Sequence, residues 1–179
     1  MKKMLVLIVS GWFVAVAAAS AAKPLQVSLT PDVSLFGKTE RIEGLALSLW
    51  GENPQTALAL GIVNGSTGDS AGFSLGLLLN YADNYKGVQW APINYAKGDF
   101  FGWQGGLVNY VDGTLSGLQS GVVNYAGRLT GLQFGLVNYA ATVERGVQIG
   151  LINFMPRNRF LSGLPSELAP VMVFVNWRL

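Results

Sequence analysis

A nine-residue unit, G-L-Q-F-G-L-V-N-Y from Gly131 to Tyr139, constrains this chain more than any other feature. Copies begin at Gly87 (G-V-Q-W-A-P-I-N-Y), Gly102 (G-W-Q-G-G-L-V-N-Y), Gly117 (G-L-Q-S-G-V-V-N-Y) and Gly146 (G-V-Q-I-G-L-I-N-F). Looser copies cover Gly72–Tyr81 and Ala57–Asn64. The closing asparagines are Asn64, Asn80, Asn94, Asn109, Asn124, Asn138 and Asn153, so the period is 14 to 16 residues. A short fixed period means one structural unit copied in tandem, each copy burying its surface against the next.

Within the unit the residue types alternate, as successive residues of a strand do when they point to opposite faces. Read as one strand, the Gly131 copy places Leu132, Phe134, Leu136 and Asn138 on one face. Gln133, Gly135, Val137 and Tyr139 fall on the other. Between copies lie short turn-forming stretches such as Lys97-Gly98, Asp112-Gly113 and Ala126-Gly127, where glycine would supply a positive φ. Two earlier strands read from the alternation of Leu25, Val27 and Leu29, and of Leu45, Leu47 and Leu49. The extra residue in Gly76-Leu-Leu-Leu-Asn80 predicts a bulge. Three prolines break the pattern between Phe154 and Pro170, predicting a loop with a helical turn at Ser166 to Ala169. A closing strand at 171–179 brings the count to about ten.

A row of such strands must hide its edges. An up-and-down antiparallel β-barrel of about ten short strands is the expected closure, and a β-solenoid with stacked Gln and Asn ladders is the alternative. Nine to eleven residues suit a tilted membrane-crossing strand, and low charge suits a wall facing hydrocarbon. In a barrel, Tyr81, Tyr95, Tyr110, Tyr125, Tyr139 and Phe154 would land alternately at two ends as aromatic girdles. The 171–179 strand would then pair on both sides, with its predecessor and with the strand at Leu25 to Leu29.

Met1 to Ala22 reads as a cleaved signal peptide: Lys2-Lys3, an apolar run to Ala19, then small residues. That leaves one β domain over 23–179, with repeats over about 57–154. The chain has 12 basic and 10 acidic residues, so removal of Lys2 and Lys3 leaves ten of each. This balance gives no electrostatic case for nucleic acid.

The terminal alternation of Val173, Val175 and Trp177 resembles the assembly signal of bacterial outer-membrane barrels, with Leu179 where Phe is usual. The repeats G-L-Q-x-G-L-V-N-Y and G-V-Q-I-G-L-I-N resemble the exported bacterial surface-repeat family. These likenesses imply export to the outer membrane or cell surface, with the periplasm as alternative, and contact with membrane lipid and the outer-membrane assembly machinery. They identify no protein partner and no activity.

The chain has no cysteine and no histidine, which removes thiolate chemistry, the commonest general base and the commonest metal ligand. Asp69, Asp83, Asp99, Asp112 and Glu144 sit in turns, where such residues are ordinary. No catalytic, cofactor-binding or metal-binding residue is assigned, and no cofactor. The recurring Gln89, Gln104, Gln119, Gln133 and Gln148 could line a lumen or bind a sugar, but repetition favours a hydrogen-bonded ladder. Trp90 and Trp103 could stack on a ligand, or simply be apolar surface. The expected function is therefore non-enzymatic: an outer-membrane or surface β-repeat protein, structural or a narrow conduit or binder for a small or lipidic molecule. A secreted or periplasmic β-solenoid interaction module is the alternative.

Overall fold

A computed structural model describes residues 22–179, and it is a β-solenoid of about seven turns in place of the expected barrel. The signal-peptide reading falls, but for Ala22, outside the described residues. One sheet contains β1 (Lys23–Thr30), β2 (Val33–Ser34), β3 (Ile42–Asn53), β4 (Gln55–Trp90), β5 (Ile93–Ala96), β6 (Phe100–Gly105), β7 (Val108–Phe154) and β8 (Val171–Arg178). With 36 and 47 residues, β4 and β7 are far longer than ordinary strands, because each winds through several turns of the coil.

The repeats pair parallel and in register, not antiparallel. Gly87 lies opposite Gly102, which lies opposite Gly117; Gln89, Gln104 and Gln119 stack likewise. Asn80, Asn94 and Asn109 form a third column. Parallel stacking also corrects the aromatic girdles: Tyr95, Tyr110, Tyr125 and Tyr139 form one stack along one edge of the coil.

The reason is a corner inside the motif. Gln133 and Asn138 are both fully buried, although five positions separate them and an uninterrupted strand would point them oppositely. Between them Leu136 is exposed and Val137 half-buried, so the chain turns at Gly135 and resets the alternation. Asn138 therefore points inward, away from the side of Phe134 and Leu136. The second corner lies at the leading glycine of the units from Gly72 to Gly131. Gly72, Gly87, Gly102, Gly117 and Gly131 have φ between 122° and 140°, and at each a Cβ would overlap the backbone oxygen of the turn below. The turn glycines Gly98, Gly113 and Gly127 are not among the positive-φ residues, contrary to the sequence expectation.

Both ends are closed by a reversed strand. At the first, β2 pairs antiparallel with β1, which then runs parallel to β3. At the last, β8 pairs antiparallel with the Gly146–Phe154 turn of β7. No ladder joins β8 to β1 among the described residues, so the expected ring closure is absent. The stretch from 157 to 170 folds over the outer edge of β8. Its turn is at Gly163–Glu167, beginning three residues before the predicted one, where Ser166 and Glu167 N–H groups donate to Gly163 O at 3.0 and 3.1 Å. Glu167 is buried there between Arg159 (2.6 Å) and Arg178 (3.4 Å).

Candidate functional site: two apolar outer faces around an amide interior

The coil has three arcs, and two of them are inside-out relative to an ordinary globule. On the arcs that carry Gln and Asn, the inward side chains are amides. Gln104 donates to Gln89 at 3.0 Å, Gln119 to Gln104 at 2.9 Å, Gln133 to Gln119 at 2.8 Å and Gln148 to Gln133 at 2.7 Å. The Asn column runs from Asn64 to Asn153 with steps of 2.8–3.0 Å. The second amide hydrogens reach backbone oxygens at the corners, as from Gln119 to Tyr125 O (3.0 Å) and Asn109 to Ser120 O (3.0 Å). Burial of these polar groups is thereby tolerated, since an unpaired buried amide would cost about 1–3 kcal/mol. The amides are thus structural ladders, and they fill the space a lumen would need.

The outward residues of these arcs are apolar. One column contains Leu78, Leu107, Val122, Leu136 and Leu151, exposed by 53, 58, 41, 55 and 55%. Phe134, Ile149 and Val123 continue the surface beside it, and Val171, Val173 and Phe174 extend it onto β8. The third arc is conventional. Tyr85, Phe100, Leu115, Leu129, Val143 and Met155 form its apolar interior. Burial pushes the Tyr85 hydroxyl pKa up.

Charge follows the same division. Between Gln55 and Pro156 the charged residues are Asp69, Asp83, Lys86, Lys97, Asp99, Asp112, Arg128, Glu144 and Arg145. Each lies within the five residues before a leading glycine, on the third arc. The remaining two arcs carry no charge in any of these turns. The turn carboxylates have structural work: Asp83 accepts from Gly68 N–H at 2.8 Å, and Asp99 from Thr114 N–H at 2.7 Å. Asp69 accepts from Asn84 at 2.9 Å, and Glu144 pairs with Arg128 at 3.5 Å. Asp112 lies on the same arc. No group of three or more potential metal ligands occurs among the described residues.

The boundary between apolar and charged arcs is aromatic. Tyr95, Tyr110, Tyr125, Tyr139 and Phe154 stack with centroids 4.3 to 6.1 Å apart. Desolvation in this stack, reinforced by the neighbouring Tyr125, raises the Tyr110 pKa. At the first-turn end, Tyr81 donates to Glu52 at 2.6 Å and accepts from Trp50 at 3.1 Å. Burial and the Glu52 carboxylate push its pKa up to about 12.

One place on the apolar surface departs from the repeat. The column Trp90, Gly105, Ser120, Phe134 has two small residues in succession. The Trp103 indole lies across them and donates to Ser120 Oγ at 2.8 Å. Trp90 meets it edge-on, centroids 5.1 Å apart. Sequence reasoning singled out both tryptophans; the small pair that seats one of them shows only once the columns are aligned.

No protein-family model, curated protein or solved structure matches this chain.

Proposed function

We propose that the protein is an exported, non-enzymatic β-solenoid that works as an interaction module, lying with its two apolar arcs against lipid at the outer membrane or cell surface. One observation carries the reading: the complete separation of charge from two of the three arcs. A water-exposed repeat would gain solubility from charge anywhere on its outside. From Gln55 to Pro156 each turn keeps charge to one arc and places aliphatic residues on the others, the arrangement expected of a body lying at an interface. Stacked tyrosines at the boundary suit the headgroup level, where one edge of a ring is wet and the other apolar. The filled amide interior favours an interaction module over a conduit. The third-arc charges are five acidic and four basic, so attraction to anionic lipid is not part of the proposal.

Flotation with phosphatidylcholine vesicles tests it. The purified protein should rise with the vesicles. The double variant L107R/L136R, which adds two cations to one exposed column, should remain at the bottom while keeping its β circular dichroism. A folded double variant that floats as well as the unmodified protein would overturn the reading.

A further inference from the structure

We propose that the indole platform formed by Trp90 and Trp103 is a binding notch for a single lipid acyl chain drawn from the adjoining membrane. The cleft of ≈ 710 Å³ around the platform is walled by Leu77, Pro92 and Leu107. Its size lies within the roughly 300–1,000 Å³ of small-molecule sites. This inference rests on the lipid-facing reading above and adds a specific place and occupant.

Three observations converge on the notch. First, the platform is held in place before any ligand arrives. Gly105 and Ser120 give the Trp103 indole a seat, and the 2.8 Å bond to Ser120 fixes its rotation. Preorganised aromatic surface binds with little ordering cost. Second, Gly105 is not forced by the coil. At the leading glycines a Cβ would strike backbone oxygen, but a Cβ on Gly105 would meet only the Trp103 ring, at 3.5 Å. A side chain longer than alanine's would lift the indole off the strand, so a small residue at this place seats the ring. Third, the chemistry of the lining selects its occupant. Ser120 carries the one hydroxyl there, and it already accepts the Trp103 indole N–H. A sugar would find only the Ser120 O–H and the Trp90 indole N–H for its many hydroxyls, whereas a hydrocarbon chain needs none. No charged side chain borders the cleft to fix a headgroup, so the headgroup stays in the membrane and the chain alone enters.

The test is calorimetric titration with lauroyl lysophosphatidylcholine below its critical micelle concentration. The unmodified protein should bind one chain saturably. Trp103→Ala, which removes the platform, and Ser120→Val, which unpins it, should each weaken binding by at least about tenfold. Trp50→Phe, on the same outer surface but away from the notch, should leave binding unchanged. Either notch variant suffices if the other fails to fold. A folded notch variant that binds as the unmodified protein does, or the lack of saturable binding in the unmodified protein, overturns the proposal. Vesicle flotation separates this from the wider reading. Trp103→Ala should still float because its apolar arcs remain. Loss of chain binding with flotation intact concerns the notch alone, and an unmodified protein that does not float removes the lipid-facing reading.

Discussion

Gln119 donates backward along the coil to Gln104 at 2.9 Å, whereas Asn109, ten residues earlier, donates forward to Asn124 at 2.9 Å. The two amide ladders therefore run in opposite senses, and their ends differ. The Gln ladder leaves Gln89 Nε2 and Gln148 Oε1 unpartnered at its two termini. Gln119→Leu would leave Gln104 Oε1 without its donor and deprive Gln133 Nε2 of an acceptor, each at about 1–3 kcal/mol. Gln89→Leu removes one orphaned donor and creates another on Gln104, so it should cost less. Chemical denaturation of both variants checks the order; equal losses would contradict the ladder.

The glycines offer a sharper contrast. Gly117→Ala places a Cβ against Gly102 O at a φ of 140° and should destabilise by several kcal/mol, or prevent folding. Gly105→Ala meets only ordinary contact with an indole and should lie within about 1 kcal/mol of the unmodified protein. Melting temperatures of the pair decide it.

Arginine at Gln133 and at Leu136 separates the coil from a barrel. In a barrel Gln133 faces a wet lumen and tolerates the charge. In the solenoid Gln133 is fully buried, and an unpaired charge there should cost several kcal/mol. Leu136→Arg projects outward, so it should fold and lose only vesicle binding. Proteolysis should digest Q133R and spare L136R.

Truncation at Pro170 removes β8. Because β8 pairs with the last turn of β7 and not with β1, the loss should fray Gly146–Phe154 and leave the earlier turns protected from protease. The bare parallel edge should also recruit other copies, seen as larger species in size-exclusion chromatography. Complete digestion of the repeats would argue against nearest-neighbour stability.

The clamp on Glu167 makes the same end sensitive to acid. The short bond from Arg159 lowers the Glu167 pKa, with further lowering from the Arg178 charge. A carboxylate depressed in the fold contributes stability above its ordinary pKa and loses it as pH falls through the folded value. Acid should therefore loosen the cap, and Glu167→Gln should abolish that part of the pH dependence. Hydrogen exchange at Leu168 N–H, which donates to Trp177 O at 3.2 Å, reports it.

Much of the fold was legible in the chain. The period, the all-β character and the identical ladder residues all follow from spacing. The closure did not, because Leu132, Phe134 and Leu136 alternate correctly for a straight strand and Gly135 gives no sign that it is a corner. Val137 was the clue: an aliphatic residue one place beyond Leu136 breaks strict parity, and so does the buried Asn138 that follows. The separation of charge was present in the sequence as well. It becomes meaningful only when Asp99, Asp112 and Arg128 are brought onto one arc by the winding. The seat of Trp103 needs Gly105 and Ser120, fifteen residues apart, to be neighbours.

The reversed strands at the two ends leave turn number as a free variable. Any internal turn finds a parallel copy of itself above and below, while β2 and β8 need only the first and last. Inserting or deleting one 15-residue unit would change the length of the prism by about 4.8 Å and leave both terminations intact. The protein is built as a ruler whose graduations, outside the turns that seat Trp103, are interchangeable and whose ends are not. Its reach along a surface could be reset by whole-unit duplication, without redesigning any single contact.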